Sequence, residues 1–132
     1  MAKIKTKSAS KAEPDWKTKW PRNGDLATWF RYMLQKCEAI ADDRDASDRA
    51  HLPIEHLAGL GHEREAVRWV NRFLKRLPLE LVLPTVWMAE VGAKISLEAG
   101  NLKRMEKYLA IVEATEPFNK RKCDHGFSIW SA

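Results

Sequence analysis

Six side chains in this chain are thiols or imidazoles, groups that ligate zinc: Cys37, His51, His56, His62, Cys123 and His125. Zinc is held by such groups when they fall in close pairs, as in Cys-x-x-Cys or histidines at i and i+4. Only Cys123-x-His125 is a local pair here, so the spacing predicts no metal site and ordinary surface histidines. Carboxylate chemistry is equally unpromising. Glu90 and Glu98 lie eight residues apart on a predicted helix, which reads as a solvated face. No nucleophile elbow and no phosphate-binding glycine loop occurs. The expectation is a protein without catalytic residues, cofactor or metal.

The clearest pattern of charged groups is cationic. Arg64, Arg68, Arg72 and Arg76 recur every fourth residue, with Lys75 beside the last, and on a helix they must form one ridge. Like charges at that spacing destabilise a helix slightly, so acidic groups are expected to compensate. Glu65, Glu80 and the cluster Asp42, Asp43, Asp45 and Asp48 are the candidates. The other use of such a ridge is docking: guanidinium forks bind carboxylates or phosphates through directional paired bonds.

Net charge says where such electrostatics would operate. Residues 1 to 22 hold seven basic side chains against two acidic ones, and the remainder of the chain is balanced, so the formal charge of +5 belongs to the N-terminal tail. The tail can contact nucleic acid weakly through counterion release, which needs positive charge and little sequence specificity. The neutral remainder argues against a dedicated nucleic-acid binder. No apolar run approaches the roughly 20 residues that span a bilayer, and residues 1 to 15 lack the apolar centre of a secretory signal. A cytoplasmic protein without membrane contact is expected. Two distant cysteines do not make a disulfide framework, and Cys37, inside an apolar helical pattern, is expected to be reduced packing material.

The elements that would position these groups are helices. A tail over 1–22, poor in apolar residues, precedes one domain over 23–132. Asp25 is suited to cap a first helix over 25–42, with Leu26, Trp29, Phe30, Met33, Leu34, Cys37 and Ile40 on one face. A weaker helix over 48–60 carries Leu52, Ile54, Leu57 and Leu60, with Pro53 tolerable only near its first turn. Ala66, Val67, Val70, Phe73, Leu74 and Leu77 form the stripe of a helix over 62–77 that Pro78 ends. Pro84 opens a fourth helix that Gly100 closes, and its small Ala89, Gly92, Ala93 and Ala99 predict close helix contact. Asn101 caps a fifth, with Leu102, Met105, Tyr108, Leu109 and Val112 inward, ending at Glu116 and Pro117. Trp29, Trp69 and Trp87 are expected in the core. Trp16 and Trp20, four residues apart on one side of a turn that Pro21 stops, can dock the tail onto the domain. Trp16, Trp20 and Trp130 are also candidates to contact something else, a second copy included, and Phe127, Ile129 and Trp130 to seal remaining apolar surface.

An internal repeat organises these helices. Gly24-Asp25-Leu26, Gly61-His62-Glu63 and Gly100-Asn101-Leu102 each begin an amphipathic segment. Ala66 and Met105, Val70 and Leu109, Phe73 and Val112, and Pro78 and Pro117 all lie 39 residues apart.

On Gly61, Ala66 and Pro78, repeated at Gly100 and Pro117, the stretch 48–117 resembles the tetratricopeptide repeat family, whose units are helix pairs with a turn glycine, a small residue and a closing proline. Pro53 replaces a large apolar residue of that pattern. The resemblance implies an all-α fold: antiparallel helix pairs stacked as a short right-handed superhelix of about five main helices. It also implies a concave surface, built from the first helix of each pair, that grips extended peptides or helices. By position that lining includes His51 and Glu55, then Trp87, Glu90 and Lys94. The family's basic clamp for a peptide carboxylate is not recognisable. The expected function is a non-enzymatic module that binds a partner protein or peptide through that face or through Arg64, Arg68, Arg72, Lys75 and Arg76. Two other readings remain open: an immunity-type or chaperone-like binder that masks a toxin or effector, and a nucleic-acid-associated accessory protein using the tail. Oligomeric state is left open.

Overall fold

The computed structural model describes residues 25–123, with side chains through Asn119. The expectations for the tail, for Trp16, Trp20 and Trp130, for the Cys123 and His125 side chains and for Phe127 and Ile129 lie outside the described residues. Six helices follow one another: α1 (Leu26–Glu38), α2 (Asp43–Gly59), α3 (Glu63–Leu74), α4 (Val82–Glu98), α5 (Leu102–Ala114) and α6 (Glu116–Cys123). The protein is all-α, and no strand occurs among the described residues. Each helix packs on its neighbour in sequence, and α2 also packs on α4.

The caps explain the boundaries. Asp25 accepts from the Ala27 N–H at 3.0 Å and from the Thr28 hydroxyl at 3.0 Å, which lowers its pKa through the Thr28 bond above all. Asp42 accepts from the Asp45 N–H at 2.8 Å, and Asn101 from the Arg104 N–H at 3.1 Å. Asp42 therefore starts α2 five residues earlier than its apolar pattern suggests. Pro53 consequently lies in the interior of α2, buried, where sequence rules place it at the first turn. The C-termini of α2 and α4 are built alike. Gly61 and Gly100 take φ of +97° and +77°. After Gly61 the His62 N–H bonds Leu57 O at 3.0 Å, and after Gly100 the Asn101 N–H bonds Ser96 O at 2.8 Å. These two matching corners are the structural content of the 39-residue repeat.

Burial follows the helical stripes with exceptions that matter below. Phe30, Leu34, Ile54, Leu57, Val70, Phe73 and Met88 form the centre, with Trp29 and Trp69 also buried. Leu26, Leu52, Leu60, Leu102 and Leu109, which fit apolar helical patterns, and Trp87, expected in the core, are instead exposed, as is Leu97. For α5 the reason is its position: it meets α4 and α6, so its inward edge is narrow and only Tyr108 is fully buried. α6 continues through Glu116 and Pro117, because proline is tolerated in a first turn, where its missing N–H would lack a partner anyway.

Long polar side chains fasten α1 and α5 to α3. Arg31 places Nε 2.6 Å and Nη2 2.8 Å from the two Glu65 carboxylate oxygens. Arg104 donates to Glu63 and, at 2.7 Å, to Ser96 Oγ. The Tyr108 hydroxyl donates to Asn71 Oδ1 at 2.6 Å. None of these partners is announced by apolar periodicity.

Candidate functional site

The arginine ridge divides into two parts. Arg72 grips the Glu38 carboxylate with Nε and Nη2, both at 2.9 Å, while its guanidinium lies 4.8 Å from the centre of the Trp69 ring. Arg76 reaches the end of α1: Nη1 donates to Glu38 O at 3.0 Å, Nη2 to Ile40 O at 2.6 Å, and Nε to the Asp43 carboxylate at 2.8 Å. A cation satisfying carbonyls at a helix C-terminus is also favoured by the helix dipole. Arg72 and Arg76 are thus engaged within the chain, by the Glu38 carboxylate and by the carbonyls and carboxylate where α1 passes to α2.

The rest of the ridge faces outward. Arg64, Arg68 and Lys75 are exposed and have no carboxylate within ion-pair distance among the described residues. Arg68 and Lys75, with Glu65, Trp69, Asn71 and Arg72, line an open cleft of about 400 Å³. Of the acidic groups expected to compensate the ridge, Asp43 does so, while Glu65 is taken by Arg31 and its pKa is lowered chiefly by that bond.

A second surface lies across α2 and α4. Exposed Leu83, Trp87, Glu90, Lys94 and Leu97 follow one another at three- and four-residue steps, so they share one stripe of α4. On α2, Asp48, Leu52, Glu55 and Gly59 do the same, and Lys94 Nζ lies 3.9 Å from Glu55 Oε1 across the gap. The structure therefore brings Glu55 and Lys94 together, with Trp87 and Glu90 on the same stripe as Lys94. His51 differs: it is half-buried, and its Nε2 is enclosed without a hydrogen-bond partner among the described residues. Burial pushes the His51 pKa below the usual imidazole value, against the opposing pull of Asp48 and Glu55.

The residues that sequence periodicity misses are the leucines. Leu52, Leu83 and Leu97 are 62%, 48% and 54% exposed, and Trp87 is 41% exposed. Leu52, Trp87 and Leu97 fit helical apolar patterns, so periodicity sends them inward, while the apolar run over 79–83 reads as a packed connection ahead of the fourth helix. The legible signal was that α4 is apolar around nearly its whole circumference, more than one neighbour can cover.

Two clefts open on the C-terminal half of α2. One of about 530 Å³ is lined by Leu26, Phe30, Glu55, His56, Gly59 and Leu60. The other, of about 210 Å³, includes Leu52, Glu55, His56, Gly59, Lys94 and Glu98. His56 stacks on Phe30 with ring centres 4.8 Å apart at their shared edge. Among the described residues no three His, Cys, Asp or Glu side chains converge as a metal ion requires, and no helix is long and apolar enough to cross a membrane. Cys37 is buried and free, and burial raises its thiol pKa.

No family model, curated protein or solved structure matches this chain.

Proposed function

We propose that this protein is a non-enzymatic binding module with a tetratricopeptide-like arrangement of helix pairs, whose α2–α4 face takes a segment of a partner protein. The observation that carries the reading is the exposed row of Leu83, Trp87 and Leu97 on α4 beside Leu52 on α2. A single exposed leucine is ordinary on a protein surface, but large apolar side chains gathered on adjacent helices are what interaction sites present. Trp87 is the natural anchor, because tryptophan contributes disproportionately to interface energy. Glu90 and Lys94 between the apolar positions fix register through polar contacts. A protein that masks a toxin or effector would use the same chemistry.

The unpaired part of the arginine ridge supports a second reading. Arg64, Arg68 and Lys75 present cations without ion-pair partners among the described residues, which suits an acidic segment of a partner. Glu65 in that cleft, and Glu38 and Asp43 beside the ridge, disfavour a nucleic-acid backbone there.

The test uses the full chain as bait, with the captured partner then purified and titrated back. Leu52→Glu/Trp87→Glu is expected to weaken the purified complex at least tenfold, and Arg64→Glu/Arg68→Glu to leave it within twofold. The reverse order of effects moves the site to α3, and an unchanged affinity for both pairs removes the proposal.

A further inference from the structure

The two clefts on α2 form one trough, since Glu55, His56 and Gly59 line both. It runs from the start of α1 across α2 to α4. Its apolar lining is open to solvent: Leu26, Leu52 and Leu60 are 41%, 62% and 44% exposed. Its rim is acidic. Glu55 and Glu98 line it, and Asp48 and Glu90 lie on the same helical stripes. Lys94 is already held near Glu55, and Arg44 lies a further turn away on α2. The matching ligand carries aromatic side chains flanked by cations.

This chain supplies such a segment in its own tail. Residues Trp16 to Arg22 read Trp-Lys-Thr-Lys-Trp-Pro-Arg, and Trp20 precedes Asp25, where the described structure begins, by five residues. Five extended residues reach about 17 Å. Leu26, directly after Asp25, is itself a wall of the larger cleft. We propose that the acid-rimmed apolar trough between α1, α2 and α4 is the seat of this chain's own Trp16–Arg22 segment, docked in cis. Tryptophan buries about 150–250 Å² of largely apolar surface, and the lysines face carboxylates on the rim. A short tether holds the segment at an effective concentration of about 1 mM, so a weak intrinsic affinity is enough for high occupancy. A partner using the α2–α4 face competes with the tail at Leu52 and Glu55. Docking of the tail stands or falls separately from that partner.

Hydrogen–deuterium exchange on the full chain tests the docking. Trp16→Ala/Trp20→Ala is expected to accelerate exchange at Phe30 and Gly59 to Gly61 by about tenfold, the factor that a 1 mM tether gives a site of about 0.1 mM affinity. Lys17→Glu/Lys19→Glu is expected to do the same in part, with exchange in the α3 segment Arg64–Arg68 unchanged by either. A synthetic peptide of residues 14–24, added to the Trp16→Ala/Trp20→Ala chain, is expected to restore protection at the same amides, saturably and less well at high salt. Unchanged exchange in both variants overturns the proposal, as does peptide protection confined to another surface. Protection that rises with protein concentration assigns the trough to a second copy and overturns docking in cis.

Discussion

The ring of Tyr108 rests on the bare backbone of Gly92: a Cβ built at Gly92 would stand 2.7 Å from Tyr108 Cζ. This is the closest expression of the small residues of α4, and it decides how near α5 approaches. Gly92→Ala adds helix propensity worth about 1 kcal/mol yet is expected to destabilise the protein by about 1–3 kcal/mol net, because Tyr108 must swing away. The movement also breaks the Tyr108 hydroxyl bond to Asn71. Tyr108→Phe alone is expected to lose about 1 kcal/mol, and to lose almost nothing more in a Gly92→Ala background. Urea denaturation of the four proteins measures the coupling, and additive losses would mean that the ring does not move.

Arg76 and Arg72 look equivalent in sequence, four residues apart on one ridge, but they have different work. Arg76 is the more buried and satisfies main-chain carbonyls that end α1, so Arg76→Ala is expected to cost about 2–3 kcal/mol. Arg72→Ala breaks a more solvated pair and is expected to cost about 1 kcal/mol or less. Arg64→Ala and Arg68→Ala are expected to stay within about 0.5 kcal/mol of the parent. Thermal and chemical denaturation rank the four, and an Arg72 loss as large as that of Arg76 would contradict the division of the ridge.

The difference between those arginines shows what was legible beforehand. Period and punctuation sufficed for the all-α class, and the glycine-led corners at Gly61 and Gly100 appear where the 39-residue repeat puts them. Alternation of apolar positions says which residues are eligible for burial, not how many neighbours a helix will have. Leu102 and Leu109 fit the stripe of α5 and remain outside because α5 packs mainly on α4 and meets α3 only through the long polar side chains of Arg104 and Tyr108. Glu38, Arg31 and Arg104 escape notice for another reason. Their partners lie 34 or more residues away, and a long polar side chain reaches such a group without leaving any local pattern.

His51 makes stability depend on pH. Its pKa is lowered by burial, with Asp48 and Glu55 opposing, so the unfolded chain binds this proton more readily than the folded one. Stability from the neutral ring is complete above the ordinary imidazole value of about 6.5 and is lost as pH falls through that value toward the lower folded pKa. The melting temperature is expected to drop between about pH 7.5 and pH 5, and less in His51→Gln. A His51→Gln profile parallel to the parent's would assign the loss to other groups.

Two buried serines should respond in opposite directions when the hydroxyl is removed. Ser47 in α2 is fully buried, and its Oγ has no hydrogen-bond partner among the described residues. Ser96 in α4 is equally buried, but its Oγ accepts from Arg104 Nε at 2.7 Å. An unsatisfied buried hydroxyl carries a desolvation penalty that alanine removes, and alanine is also the better helix former. Ser47→Ala is therefore expected to stabilise the protein by about 1 kcal/mol. Ser96→Ala leaves a half-buried guanidinium short of one acceptor, at a cost of about 1–2 kcal/mol that helix propensity offsets only in part. The change in urea midpoint reads both signs directly, and destabilisation by Ser47→Ala would show that its hydroxyl has an acceptor after all.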